Sequence, residues 1–183
     1  ADEELKRVIP VIKKLKEELD IPISVDTFRA YIADLALQHG ADMINDVYGG
    51  DADSKMWGVI AKYRVPYILT FAREMTTYST CYEYTMSNIV DFFQEKLDKL
   101  HRMGVADVII DPGFGFAKTE QQNYAILRDM KVLSVLQAPI LVGISRKSML
   151  YKPLGENPSD VLPATTAANT IALEHGACIL RVH

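Results

Sequence analysis

Three short stretches repeat one design: His39-Gly40-Ala41-Asp42, Met103-Gly104-Val105-Ala106 and His175-Gly176-Ala177-Cys178. Each closes a helical pattern with glycine, the residue that ends helices in a left-handed turn, and then enters an apolar run. Read between these junctions, the chain alternates strand and helix. The spacing of Leu5, Val8, Ile9, Ile12, Leu15 and Leu19 predicts an amphipathic helix over 2–19, with Pro10 as its kink or its true start. Strands are expected at 23–27, 42–47, 66–71, 107–111, 139–145 and 178–183. Helices are expected at 28–38, 54–63, 86–103 and 120–127, with 132–136 as a continuation or an extra turn. A last helix would run to Glu174 from an N-cap at Ser159, with Pro163 in its early turns. Residues 73–84 are polar, rich in Thr and Tyr, and read as a loop. Strict alternation of this kind predicts a parallel α/β sheet with right-handed crossovers.

Polar and ionisable residues collect at or just past the strand ends: Asp26, Asn45, Asp46, Asp111, Ser145, Lys147, Arg181 and His183. A (β/α)8 TIM barrel gathers its site in that way. Such a barrel needs eight strands and about 250 residues, whereas 183 residues supply six strands. The expectation is therefore one domain over 1–183 that holds strands three to eight. Two β/α units before Ala1 and a closing helix after His183 would complete it.

The totals exclude some partners. A net charge of -4 and a pI near 5.6 argue against a general nucleic-acid binder. No apolar run reaches the roughly 18 residues of a membrane span, and the first residues form a charged helix with no signal peptide visible. Cys81 and Cys178 lie far apart without metal-ligand spacing and read as free thiols of a reducing cytoplasm.

The chemistry centres on Asp107-Val108-Ile109-Ile110-Asp111-Pro112-Gly113-Phe114-Gly115-Phe116-Ala117-Lys118. A buried strand stops before a proline, which leaves Asp111 at its rim beside two permissive glycines. Asp26, Asn45 and Asp111 end three strands and could form an acceptor-rich wall for a flat heterocycle with adjacent N–H donors. They could instead cap loops or bind each other. Lys147, Arg181 and Arg146 could hold a phosphate or pyrophosphate, or serve as a surface ion-pair set. Arg181 and His183, two apart on a strand, should project together. His39, His101 and His175 sit at helix C-termini, where a cation is favourable. Trp57 and the tyrosines of 78–84 read as packing or loop anchors.

The run from Asp111 to Phe116, Gly143-Ile144-Ser145-Arg146-Lys147-Ser148 and Arg181-Val182-His183 resemble the signatures of the dihydropteroate synthase family. Ser24-Val25-Asp26-Thr27 and Ile44-Asn45-Asp46-Val47 resemble it in the same order. The resemblance implies a pterin-binding TIM barrel of folate biosynthesis. Such a transferase joins 6-hydroxymethyl-7,8-dihydropterin pyrophosphate to p-aminobenzoate and is a target of sulfonamides. By motif, Asp26, Asn45, Asp111 and Lys147 would bind the pterin, and Phe116 would line the entrance. Arg181 and His183 would hold pyrophosphate, and Ser145 would lie near the aminobenzoate. Asp26, Lys147 and Arg181 would carry the catalytic electrostatics. Mg²⁺ is the implied cofactor, its ligand expected on the first strand-end loop and so outside this chain. A cytoplasmic homodimer is also implied. Two departures stand out: Thr70-Phe71-Ala72-Arg73-Glu74 replaces the family's Met-His-Met-x-Gly, and Ala117 stands where glycine is common. The rivals are a methyltetrahydrofolate-binding corrinoid methyltransferase domain, which would not need the cations, and a non-catalytic pterin-binding module.

Overall fold

A computed structural model of the chain describes residues 2–72 and 82–183. The expected loop at Arg73 to Cys81 and the thiol of Cys81 lie outside the described residues. Two compact units make up the rest. One runs to Thr70 and takes in Leu97–Ile109; the other comprises the remaining described residues.

In the first unit, α1 spans Asp2–Glu18, β1 Ser24–Asp26, α2 Ala30–Gln38, β2 Met43–Asp46, α3 Met56–Tyr63 and β3 Tyr67–Thr70. The strands are parallel and follow chain order, with Val25 opposite Ile44, Asp26 opposite Asn45 and Asn45 opposite Ile68. The Tyr67 N–H donates to Asp107 O at 2.9 Å, so the ladder goes on to the next strand in sequence. Ile44, Ile60, Tyr67 and Leu69 are fully buried between strands and helices. β3 is buried at all four positions, as a parallel strand covered on both faces is. Pro10 neither starts nor ends α1 but lies inside it, on an exposed turn. The cost is the missing bond to the Lys6 carbonyl, which faces water.

The second unit holds most of α4 (Tyr82–Arg102) and the end of β4 (Val108–Asp111). It also holds α5 (Glu120–Asp129), a 3-10 helix (Met130–Leu136), β5 (Ile140–Val142), α6 (Ser148–Tyr151), α7 (Leu162–Glu174) and β6 (Ala177–Leu180). Its strands are again parallel and sequential: Ile110 pairs with Ile140, and Val142 with Leu180. The register slips between Ile140 and Leu141, which leaves Cys178 as the extra residue and exposed. Phe71, Phe92 and Phe93 form an aromatic cluster with edge-on contacts of 4.9 and 5.3 Å.

Three expected boundaries move. Tyr82–Tyr84 belong to α4 rather than to a loop. β6 stops at Leu180, although the Arg181 N–H still donates to Val142 O at 2.9 Å. Ser159 does not cap α7. Its hydroxyl donates to Asp160 in a turn over 157–160, and the helix begins at Leu162 after Val161. Pro163 sits where a helix has no use for its missing N–H, so it marks the start rather than interrupting the helix.

Candidate functional site

Asp26 ends β1, and Asn45 lies beside it on β2 because the parallel register places them opposite each other. The Asn45 amide donates to Asp26 Oδ2 at 3.2 Å. Asn45 is buried, and its Oδ1 has no partner among the described residues; the same holds for Thr70 Oγ1 at the end of β3. A buried acceptor left unpaired costs about 1–3 kcal/mol; Asn169 Oδ1 in α7 is a third such atom. Thr70 carries no motif and was missed by sequence reasoning. Asp46, grouped with the strand-end polars, has a structural task instead. It accepts the Tyr48 and Gly50 N–H groups and the buried Tyr67 hydroxyl, on which Trp57 also leans.

In the second unit Asp111 ends β4, 5% exposed. The expectation of a carboxylate at the solvent rim is corrected: the side chain lies inside. Burial pushes its carboxyl upward. The Gly113 N–H, donating to Oδ1 at 2.8 Å, and the charges of Lys147, Arg181 and Lys118 oppose that shift. Gly113 is required at its position. Its φ is +70°, and a Cβ there would lie 2.1 Å from the Phe71 carbonyl oxygen.

Lys147 reaches the same loop from the end of β5. Arg146, at φ +54°, turns the backbone, and its N–H donates to the buried Thr165 hydroxyl. The Lys147 ammonium then donates to the Phe114 carbonyl and lies 4.4 Å from the centre of the Phe116 ring. Burial lowers Lys147 to about 8, Asp111 pulls it back up, and Arg181 pushes it down. The Arg181 guanidinium packs on the bare backbone of Gly143, where a Cβ would come within 3.1 Å. His183 Nδ1 is 3.1 Å from the buried Ser145 hydroxyl, and its backbone N–H points at the same oxygen at 3.4 Å. Arg181 and His183 are exposed, although both lean on β5 as their spacing predicts.

The second unit therefore assembles a buried carboxylate, an aromatic ring and two cationic side chains around one loop, with the Ser145–His183 pair at the end of β5. The first unit pairs Asp26 with Asn45. The other histidines sit where helix ends need them: His39 and His175 cap α2 and α7, and His101 lies in the last turn of α4. Among the described residues no group of three His, Cys, Asp or Glu could hold a metal ion, and no helix is long and apolar enough to cross a membrane.

Comparison with known proteins places these residues in context. The family described as pterin binding enzyme matches residues 1–183. A dihydropteroate synthase of Clostridium beijerinckii is 38% identical over 185 residues, covering 100% of this chain and 67% of the relative. The dihydropteroate synthase of Clostridium difficile, solved with pteroic acid, superposes with a TM-score of 0.94 at 43% identity. It covers 100% of this chain and 69% of that structure. The Xanthomonas albilineans enzyme in complex with 7,8-dihydropteroate gives 0.91 at 34% identity, covering 100% and 68%. The chain spans about two thirds of the length of the curated relatives it matches.

Proposed function

The chain belongs to the dihydropteroate synthase family of pterin-binding enzymes, and from that premise we propose that the whole protein makes 7,8-dihydropteroate in folate biosynthesis. The substrates would be 6-hydroxymethyl-7,8-dihydropterin pyrophosphate and p-aminobenzoate, and the second product pyrophosphate. Residues 1–183 act in this reading as a pterin-binding domain carrying strands three to eight of a (β/α)8 barrel.

The bond that breaks joins the pterin's exocyclic methylene to a pyrophosphate oxygen. The bond that forms joins that carbon to the aminobenzoate nitrogen, which then loses a proton. No protein nucleophile is needed, so the protein's task is to bind, orient and hold charge. Asp111 takes the adjacent N–H donors of the pterin ring as a bidentate acceptor. The unpaired Oδ1 of Asn45 accepts a further ring donor, and Asp26 favours positive charge developing on the pterin. Lys147 donates to the ring's other polar edge, with Phe116 at the entrance. Arg181 and His183 hold the departing pyrophosphate, and Ser145 lies toward the aminobenzoate. Mg²⁺ would supply further neutralisation of pyrophosphate. No residue described in this chain is assigned to it, and no step here runs through it.

The observation that carries this reading is the buried Asp111 carboxyl, held by one backbone N–H among three cationic side chains. Its charge offsets the desolvation of Lys118 and Lys147 in the absence of a ligand. The corrinoid methyltransferase alternative has no use for Ser145-Arg146-Lys147 or for Arg181 and His183 as an anion-binding pair. A homodimer would cover apolar residues exposed in this chain, Leu162, Ile171 and Leu173 of α7 and Val135 of the 3-10 helix, and light scattering is the check.

Calorimetry of 6-hydroxymethylpterin against the full-length protein tests the site. Asp111→Asn, which keeps an acceptor for Gly113 but removes the counter-charge of Lys118 and Lys147, should weaken binding about 100-fold and lower the thermal midpoint. Unchanged affinity would remove Asp111 from the ring-binding role.

A further inference from the structure

Lys118 carries no role in the reading above, yet all three of its ammonium protons find acceptors. Its Nζ donates to three backbone carbonyls: Phe71 O at 2.8 Å, Gly113 O at 2.8 Å and Phe116 O at 3.1 Å. An ammonium has three N–H bonds, and each finds an acceptor here. A neutral amine has two, and its lone pair would face a carbonyl oxygen. The three carbonyls therefore select the charged form. Burial pulls the group down to about 7, and the nearby Asp111 carboxylate opposes that shift. The Phe71 ring, 4.8 Å away, offers its face to the same cation.

These carbonyls belong to three separate points of the chain. Phe71 follows β3, Gly113 follows β4, and Phe116 lies at the far side of the glycine loop. Gly113 makes the tie possible, since a Cβ there would strike Phe71 O and come within 3.2 Å of the ammonium. From outside the loop, Asn123 Oδ1 accepts the Gly115 N–H at 2.8 Å while its amide donates to Thr119 O at 2.8 Å. The loop is thus held from both sides. Charged groups that act on Asp111 are Lys118, Lys147 and Arg181, and those that act on Lys118 are Asp111 and Lys147.

We propose that Lys118 is a positioning residue whose ammonium locks the Gly113–Phe116 loop to the backbone of Phe71, so that the loop is preformed before any ligand arrives. The loop's service to pterin binding rests on the function proposed above; the tie itself does not. One consequence concerns the departure at Thr70-Phe71-Ala72. What Lys118 takes from residue 71 is a carbonyl oxygen, which any residue supplies, so the loop keeps its anchor despite the altered side chains.

The test uses the full chain labelled with ¹⁵N-lysine and ¹³C-aspartate. In the unmutated protein, the Lys118 ammonium protons should exchange with water about tenfold or more slowly than those of exposed Lys13. Exchange as fast as Lys13 would overturn the tie without any variant having to fold. In Lys118→Met, amide exchange at Gly115 and Phe116 should rise about tenfold or more relative to Ile110. The Asp111 carboxyl should also titrate at higher pH than in the parent. If neither changes, Lys118 positions nothing. Calorimetry with 6-hydroxymethylpterin then separates the two claims. Failure of the unmutated full-length protein to bind would count against the proposed function, while the tie is read from exchange alone. A loosened loop with undiminished pterin affinity would overturn the part of the proposal that gives the loop a role in binding.

Discussion

Lys147 is buried far enough to pull its ammonium down to about 8, and it meets a carbonyl and an aromatic face there. A lowered lysine binds fewer protons folded than unfolded between about 8 and 10.5. Stability therefore rises with pH through that window, and at neutral pH the buried charge is a burden on the fold. Lys147→Met should accordingly stabilise the chain at pH 7 by about 1 kcal/mol in urea melts while it abolishes pterin binding. Pterin binding should fall on both sides of neutrality: on the acid side as Asp111, pushed up by burial, takes a proton, and above about 8 as Lys147 loses one. In Lys147→Arg the part of the alkaline limb that belongs to Lys147 should vanish from the calorimetric pH profile, because guanidinium keeps its proton, while the part that belongs to Lys118, lowered to about 7, remains. Gly113→Ala would force a Cβ into Phe71 O at positive φ, and a loss of about 3 kcal/mol or more in chemical denaturation is expected.

The elements were legible wherever periodicity and a stop signal agreed. Val108–Ile110 is apolar, Pro112 forbids continuation, and β4 ends on Asp111 as read. α2 and α3 stop at Gln38 and Tyr63, before the Gly40 junction and the Pro66 turn respectively. The misreadings came from tertiary partners. Ser159 looks like a cap, but Asp160 takes its hydroxyl, and Pro163 gives the true start. Lys118 was given no role, since the sequence does not reveal that the Phe71 carbonyl, 47 residues away, meets it beside those of Gly113 and Phe116. Thr70 likewise shows its unpaired hydroxyl only after folding. At α5 the box is complete: Thr119 accepts the Gln122 N–H at 3.2 Å, and Gln122 accepts that of Thr119 at 2.8 Å. Thr119→Ala should cost about 1 kcal/mol. Pro10→Ala, restoring one bond inside α1, should raise the thermal midpoint by a few degrees in calorimetry, about 1–3 kcal/mol.

At the scale of the molecule, both units use the same rule. Parallel strands follow chain order, helices cover them, and the polar residues ride on the strand ends. Asp26 and Asp111 end their strands, Asn45 lies one residue before the end of β2, and Ser145 and Lys147 follow β5, so the placement of these residues was readable in the sequence. The solvation state of each was not, because Asp111 inside and Arg181 outside depend on which neighbours arrive. The measurement that bears most directly on the account is pyrophosphate release by the full-length protein, given 6-hydroxymethyl-7,8-dihydropterin pyrophosphate and Mg²⁺, with and without p-aminobenzoate. The account predicts release that depends on p-aminobenzoate and is lost in Asp111→Asn. Pterin binding without any release would contradict the synthase assignment and leave a pterin-binding module that does no chemistry.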